Sequence, residues 1–284
     1  MKKSVSMLLA VSMTLALAGC AGTAAETTAA ETAAETAAET TQAAEEETSE
    51  AAEEETSEAA KESEAAAADV LTYEEYMAAE LDTEVTIQAY VQAKQSWWED
   101  QATVYAQDAD GAYFLYNLAC SEEDYEKLTP GTKIQATGFK SEWSGEIEIM
   151  DGTFTFVEGA DTYIAPALDV TELLGTDELI DHQNQFVEFK GLTVEAAGQD
   201  DSGNDVAFLY NWDGSGTEGD DLYFNASYNG QTYTFTIESY LCDSTTEVYS
   251  AVKNLEIGQT IDMEGFLYWY EGVNPHITSV TVVE

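Results

Sequence analysis

The chain has 284 residues, of which 56 are acidic and only 9 are basic, and its formal net charge at pH 7 is −47. All of the basic residues are lysines, so the chain lacks arginine, whose planar fork suits bidentate phosphate contacts. This balance predicts that the partner is neither nucleic acid nor anionic lipid, and it leaves cations, neutral sugars and basic proteins as candidates. At roughly 150 residues per domain, the length predicts one or two domains.

The N-terminus has the pattern of an export signal. Lys2 and Lys3 precede a short apolar run, Leu8 to Leu17, which is too short for a membrane-spanning helix. The following Leu17-Ala18-Gly19-Cys20 resembles the lipobox of bacterial lipoproteins, which implies cleavage before Cys20 and acylation of its sulfur. We therefore expect residues 1–20 to be a lipoprotein signal peptide and the mature protein to be lipid-anchored on the extracellular face of the cell membrane. An ordinary signal peptide with a chance cysteine is the alternative.

Residues 21–68 have low complexity. The octapeptide EEETSEAA occurs twice in succession from Glu45 to Ala60, and the segment contains neither an aromatic residue nor an aliphatic side chain larger than alanine. Such a composition cannot bury enough apolar surface to offset the chain entropy lost on folding. The sequence therefore predicts a disordered acidic linker that holds a folded region away from the membrane.

The first folded domain is predicted over residues 69–160. A short helix begins after Thr72, with Glu75 completing a capping box. Alternating apolar and polar residues then predict strands over 84–94, 101–108 and 112–119. A second helix capped by Ser121, with Asp124 three residues on, runs to about Leu128, and strands over 133–140 and 145–158 follow. Three strands, a helix and two strands is the order of an OB-fold, whereas a meander or an SH3-like barrel would lack the intervening helix.

The second domain, predicted over residues 161–284, repeats this plan. Strands are predicted at 185–196, at DVAFLYNW (205–212) as strand two, and in a hairpin formed by 221–227 and 231–240. A helix capped by Ser244, with Glu247 as its box partner, comes next. Equivalent residues recur across the two halves in the same order: Cys120 and Cys242, Leu128 and Leu255, Gly131 and Gly258, Ile134 and Ile261, Gly138-Phe139 and Gly265-Phe266. The predicted fold class is therefore all-β with short helices, comprising two tandem OB-fold-like five-stranded barrels after a disordered acidic linker.

The whole chain resembles a group of secreted lipoproteins of Gram-positive anaerobes. In that group a lipobox and an acidic low-complexity linker precede one or more OB-like modules, and the stretch YVQAKQSWWEDQATVYAQDADGAYFLYNLAC looks like the usual signature of the module. Such modules generally lack an assigned activity, so the resemblance implies an architecture and a location but no ligand.

Residues that could perform catalysis are sparse, and we predict that the protein is not an enzyme and has no cofactor. His182 and His276 lie in different domains without metal-ligand spacing. The chain has no nucleophile elbow, phosphate-binding glycine loop or HExxH motif, while its carboxylates are too numerous for any one pair to indicate glycoside chemistry.

Two further groups of residues are open to more than one interpretation. Cys120 and Cys242 precede equivalent helices, which favours buried apolar side chains over a disulfide. The acidic turn NWDGSGTEGDD contains Asp213, Asp220 and Asp221, which are weak candidates for Ca²⁺ ligands, but its spacing departs from the twelve-residue calcium loop and an ordinary acidic turn explains it.

The candidate binding residues are aromatic. OB-folds bind oligonucleotides or oligosaccharides on the face of strands two and three and between the loops that join strands one to two and four to five. In this chain those loops contain six aromatic residues: Trp97, Trp98, Trp143, Tyr268, Trp269 and Tyr270. They predict a binding module for a neutral saccharide, a cell-wall glycan or a protein partner, although each ring could instead close a barrel end as core. A structural or assembly lipoprotein and a Ca²⁺-binding accessory protein are the alternatives.

Overall fold

A computed structural model describes residues 69–283, which form β-strands joined by a few short helices. The predicted signal peptide, the lipidation site Cys20 and the linker over 21–68 lie outside the described residues. Within the described part, no helix is both long enough and apolar enough to cross a bilayer.

The first barrel follows the predicted order closely. Its elements are α1 (Tyr73–Ala78), β1 (Glu84–Lys94), β2 (Gln101–Gln107), β3 (Ala112–Ala119), α2 (Glu122–Lys127), β4 (Lys133–Trp143) and β5 (Glu146–Phe156). The sheet closes in the order β1-β2-β3-β5-β4, with β1 pairing both β2 and β4. All neighbours are antiparallel except β3 and β5, which are parallel. This is the five-stranded OB barrel that the sequence predicted.

Strand β1 shows why the chain forms a barrel. Val85, Ile87, Ala89 and Val91 alternate along the strand and are all buried in the first core, as the period of two predicts. The predicted helix caps are present as well. The Thr72 hydroxyl accepts a hydrogen bond from the backbone N–H of Glu75, and the Ser121 hydroxyl accepts one from Asp124 N–H at 3.1 Å.

The second barrel has the same closure with more insertions. Its strands are β6 (Leu168–Asp169), β7 (Phe186–Glu195), β8 (Gly198–Gln199), β9 (Asp205–Val206), β10 (Phe208–Tyr210), β11 (Leu222–Tyr228), β12 (Gln231–Ile237), β13 (Thr260–Phe266) and β14 (His276–Val282). Two 3-10 helices lie at Thr171–Leu173 and Asp177–His182, and α3 spans Glu247–Lys253. Strands β7, β11, β12, β14 and β13 pair in that order, and β13 pairs with β7 to close the ring.

Two details of the sequence prediction for this barrel are wrong. DVAFLYNW is not strand two, because its residues form only the short β9 and β10, and strand two is β11, which pairs with both β7 and β12. The cap of α3 is Thr246 rather than Ser244, since the Thr246 hydroxyl accepts from the backbone N–H of Tyr249 at 3.3 Å. The first error arises because local pattern does not reveal which of two adjacent segments gains the long-range strand partners. The second arises because Ser244, Thr245 and Thr246 are adjacent and all are suitable N-cap residue types.

Candidate functional site

The two barrels belong to one compact unit and bury an aromatic contact between them. The ring of Tyr105 on β2 stacks on Phe266 at the end of β13, with 4.4 Å between ring centroids. Its hydroxyl forms a 2.6 Å hydrogen bond with Nδ1 of His276. The backbone N–H of Ser96 donates to the carbonyl oxygen of Tyr240 at 2.7 Å. These contacts fix the β2–β3 face of the first barrel against the second barrel.

The hairpin between β4 and β5 is held by the second barrel. The backbone N–H of Glu271 donates to the Ser144 carbonyl at 2.7 Å, and the backbone N–H of Trp269 donates to Oε2 of Glu146 at 2.9 Å. Gly145 has φ of +96°, and a Cβ there would lie 2.8 Å from the Trp269 ring, so only glycine fits this turn. Trp269 therefore packs against the hairpin that contains Trp143.

A cleft of about 980 Å³ opens between these contacts. The loops joining strands one to two and four to five contribute to it in both barrels, together with the outer faces of β2, β3 and β11. These are the surfaces that OB-folds use for binding. In this chain the two surfaces face each other across one cleft.

Aromatic rings dominate the walls of the cleft. Eight Trp and Tyr side chains from the two barrels line it: Trp98, Tyr116, Trp143, Trp212, Tyr223, Tyr240, Tyr268 and Tyr270. The three tryptophans among them are 66% (Trp98), 60% (Trp143) and 75% (Trp212) exposed. Exposed indoles gathered in one concavity indicate a binding surface, because burying them in a core would have stabilised the fold instead.

The turn after β1 positions Trp98. Trp98 and Gln101 pair across a two-residue turn in which Glu99 and Asp100 both have positive φ, 47° and 60°. Two successive positive φ values are the geometry of a type I′ hairpin turn. The backbone N–H of Cys120 donates to the Asp100 carbonyl at 2.8 Å and fixes the turn further. Trp98 is thus exposed on a short, hydrogen-bonded support.

Four of the six predicted binding residues line the cleft: Trp98, Trp143, Tyr268 and Tyr270. The other two pack elsewhere. Trp97 is half-buried and its indole N–H donates to the Cys120 carbonyl at 2.9 Å, and Trp269 packs against the second core and covers Gly145. Sequence alone did not separate the two roles, because adjacent residues point in different directions once the strand ends.

The sequence did not predict the other four Trp and Tyr residues of the cleft, which are Tyr116, Trp212, Tyr223 and Tyr240. Trp212 follows β10 in the long connection to β11, a stretch that the strand prediction had absorbed. The dipeptide Asn211-Trp212 before an acidic glycine-rich turn was a usable signal, since Asn tolerates the positive φ of 57° that ends the strand there.

A second cavity of about 330 Å³ extends the cleft over β11 and β12. It shares four lining residues with the main cleft: Trp212, Tyr223, Tyr270 and Asn274. The two cavities therefore form one elongated groove, longer than a single compact ligand requires.

The charged groups of the cleft are carboxyls, Glu238 and Glu271. Burial raises the pKa of Glu238 to about 7, and the charge of Asp221 contributes in the same direction. His276, at the back of the cleft, is buried rather than a surface group, and burial lowers its pKa to about 3, so it is neutral at pH 7. The titratable side chains that line the cleft are therefore two carboxyl groups and a neutral imidazole, and Glu238 holds a proton more readily than a free carboxyl does.

The carboxyl groups of the acidic turn accept hydrogen bonds from backbone N–H groups. Asp213 accepts from the backbone N–H of Ser215 at 3.0 Å, Asp220 accepts from Thr217 N–H at 2.8 Å, and Asp221 accepts from Ser239 N–H at 2.8 Å. Over residues 69–283, no group of three or more His, Cys, Asp or Glu side chains is arranged to hold a metal ion. Cys120 and Cys242 are both buried and free.

No protein-family model and no curated protein sequence matches this chain. Among solved structures, the E. coli hypothetical protein ygiW is similar at 20% identity with a TM-score of 0.24, covering 31% of this chain and 90% of its own. The p204 HINb domain is similar at 11% identity with a TM-score of 0.34, covering 72% and 100%. The Ifi202 HINa domain in complex with 20-bp double-stranded DNA is similar at 13% identity with a TM-score of 0.31, covering 71% and 98%. At such identities the likeness concerns the fold alone.

These similarities correct one expectation from composition. The acidic balance had excluded nucleic acid as a partner, yet one of the similar folds is bound to DNA. The exclusion of nucleic acid that was drawn from composition is therefore contradicted.

Proposed function

We propose that the chain is a non-enzymatic, lipid-anchored binding protein on the extracellular face of the cell membrane, and that the cleft between its barrels binds a saccharide. The observation that carries the binding site is the convergence of Trp98, Trp143 and Trp212 from two barrels on one cleft, each more than half exposed. Concave sites with aromatic walls and a few polar groups are the usual form of a small-molecule site.

The chemistry of the walls favours a sugar over a purely apolar ligand. Flat indole and phenol rings match the C–H faces of pyranose rings, and removing those faces from water is favourable. Amide side chains that can both donate and accept hydrogen bonds lie between the rings, as sugar hydroxyls require. Those amides are Gln95, Gln101, Asn117 and Asn274.

The length of the groove favours an oligosaccharide. The cavity of about 980 Å³ and its extension of about 330 Å³ share Trp212 and Tyr270, so one chain of sugar units can lie along both. A cell-wall glycan has this linear form, and a protein held at the membrane by Cys20 on a 48-residue spacer would reach it.

Binding is tested with the purified full-length chain on an array of oligosaccharides, followed by calorimetry on any hit. Trp98→Ala and Trp143→Ala are expected to lose at least tenfold in affinity, about 1.4 kcal/mol each. Phe139→Ala is the matched control, because Phe139 is an exposed aromatic residue (43%) that lines neither cavity. The saccharide proposal fails if no glycan binds, or if a single-stranded oligonucleotide or a protein is bound through the same tryptophans instead.

Anchoring is tested separately, because it depends on the sequence pattern around Cys20 alone. Cells that express the wild-type chain should retain it in the detergent phase of a Triton X-114 partition, whereas Cys20→Ala should move it to the aqueous phase. An unchanged partition in the variant would remove the lipid anchor and leave the binding site untouched.

A further inference from the structure

The cleft is lined by two carboxyl groups and by no lysine. Its two charged lining residues are Glu238 and Glu271. The six lysines of the described part all lie elsewhere and have other contacts: Lys94 and Lys133 over tyrosine rings, Lys140 on carbonyls of α1, and Lys127, Lys190 and Lys253 in surface ion pairs. A carboxylate in an aromatic cleft without a cation nearby is electrostatically uncompensated.

The carboxyl group of Glu238 is held in a fixed orientation. Its Oε1 accepts from the backbone N–H of Tyr240 at 3.2 Å, and its Oε2 accepts from the backbone N–H of Leu241 at 2.8 Å. Each carboxylate oxygen has a second lone pair available. The group is therefore positioned as an acceptor for a donor that enters from the cleft.

The surroundings of Glu238 would favour a cation over a neutral donor. Asp221 is close enough to add to the negative potential at Glu238. The charge of Glu238 in turn contributes to the raised pKa values of Tyr105, Tyr223 and Tyr268. Tyrosine and tryptophan faces attract a cation placed within about 6 Å of the ring centre. An ammonium group in the cleft would gain an ion pair and ring contacts together, whereas a hydroxyl would gain only a hydrogen bond.

We propose that the saccharide bound in the cleft carries a protonated amino group, and that Glu238 is the residue that binds this group. The inference rests on the saccharide site proposed above and replaces the neutral sugar expected from sequence with an amino sugar bearing a free amine. Glu271, at the rim, adds attraction that salt screens, while Glu238 supplies the direct contact.

The test compares two probes that share a ring skeleton. Calorimetry at pH 7 with the full-length chain measures the affinity for a glucosamine tetramer and for the corresponding N-acetylglucosamine tetramer. The glucosamine tetramer is expected to bind at least tenfold more tightly. Glu238→Gln, which keeps one acceptor for the backbone N–H groups, should weaken binding of the glucosamine tetramer at least tenfold and so abolish this preference. Glu271→Gln should reduce the preference by no more than about threefold, and only at low salt.

The possible failures can be told apart. If both tetramers bind equally, or if Glu238→Gln retains the preference, the amine inference is overturned while the saccharide site stands. If neither tetramer nor any other glycan binds, the proposed function itself fails. Tetralysine serves as a third probe. If tetralysine binds as tightly as the glucosamine tetramer and this binding is lost in Glu238→Gln, the site binds an amine without a sugar ring. That result overturns the inference. Thermal melting of each variant confirms that it remains folded.

Discussion

Tyr105 in the first barrel and His276 in the second are joined by a 2.6 Å hydrogen bond between the phenol oxygen and Nδ1. Both side chains are buried, and the Tyr105 ring also stacks on Phe266 at 4.4 Å. His276 in turn stacks on Tyr268, with 4.3 Å between the ring centroids, and both rings line the cleft. The contact that holds the barrels together is therefore continuous with the wall of the candidate site.

Tyr105→Phe should destabilise the fold without creating a large cavity. The substitution keeps the ring but removes the hydroxyl, which leaves Nδ1 of His276 without its partner in a buried place. An unsatisfied buried polar group costs about 1–3 kcal/mol, so urea denaturation should show a loss of this size. Tyr240→Phe is the control, because that ring is 62% exposed and its substitution should change stability by less than about 0.5 kcal/mol. Equal stability of the two variants would show that the bond does not couple the barrels.

Glu146→Gln should stabilise the protein relative to wild type, by an amount that increases as the pH rises. Glu146 is buried at the barrel contact, and burial raises the pKa of its carboxyl from 4.5 to about 8, with the charge of Glu148 adding a smaller effect. Between these two values the folded state holds a proton that the unfolded state has released, so the free energy of unfolding falls as the pH increases from 4.5 to 8. Glutamine removes this penalty and still accepts from the Trp269 N–H through its amide oxygen.

The difference in stability between Glu146→Gln and wild type should therefore be near zero at pH 4.5 and reach on the order of 2 kcal/mol at pH 8. Measuring the difference cancels the opposite contribution of His276, whose lowered pKa makes wild type and variant alike lose stability as the pH falls below 6.5. Glu142→Gln, at an exposed position of the same hairpin, is the control for the loss of a carboxyl group. A constant difference across the pH range would mean that Glu146 is ionised in the folded state.

Two glycines at equivalent positions show how much of the barrel fold the sequence predicts. Gly138 and Gly265 were matched as equivalent positions, and each lies at a register shift in its barrel. A Cβ at Gly138 would lie 2.8 Å from the carbonyl of Met150, and one at Gly265 would lie 2.2 Å from that of His276. Each glycine is therefore required where the fourth strand bends against the fifth. The alternation of apolar and polar residues along the strands and the N-cap residues of the helices predicted the barrels, because both signals are local in sequence.

The cleft could be predicted only in part, because it depends on packing between the barrels. Trp98 and Trp143 follow from the OB plan of one barrel, but the plan does not say that the two binding faces meet. The sequence does not separate Trp269 from Tyr268 and Tyr270, because its packing on Gly145 arises only where the two barrels meet. Trp212 was hidden because DVAFLYNW has the composition of a barrel strand, and only the pairing of β11 with β7 shows that it is an insertion.

Trp212→Ala tests whether this insertion belongs to the site. Trp212 is 75% exposed and lines both cavities, so its loss should lower affinity for an oligosaccharide at least tenfold and leave the melting temperature within about 1 °C. A disaccharide that occupies only the main cavity should lose less than the tetramer does. Trp97→Ala should behave in the opposite way, since its indole N–H bonds to the Cys120 carbonyl, and should reduce stability more than binding. Unchanged tetramer affinity in Trp212→Ala would show that the insertion does not belong to the binding site.

Gly145→Ala should separate the hairpin from the second barrel and move Trp143. The new methyl group meets the Trp269 ring at 2.8 Å and also strains a residue with φ of +96°. Gly159→Ala is the matched control, because Gly159 has φ of +73° but nothing within 4 Å of the added Cβ, so it carries the backbone strain alone. We expect Gly159→Ala to cost about 1 kcal/mol and to bind saccharide like wild type, and Gly145→Ala to cost a further 1–2 kcal/mol and to bind at least fivefold more weakly. Tryptophan fluorescence should shift in Gly145→Ala alone, because only there do the Trp143 and Trp269 rings change their surroundings. If the two variants are equal in stability and binding, the packing of Trp269 against the hairpin does not position the binding site.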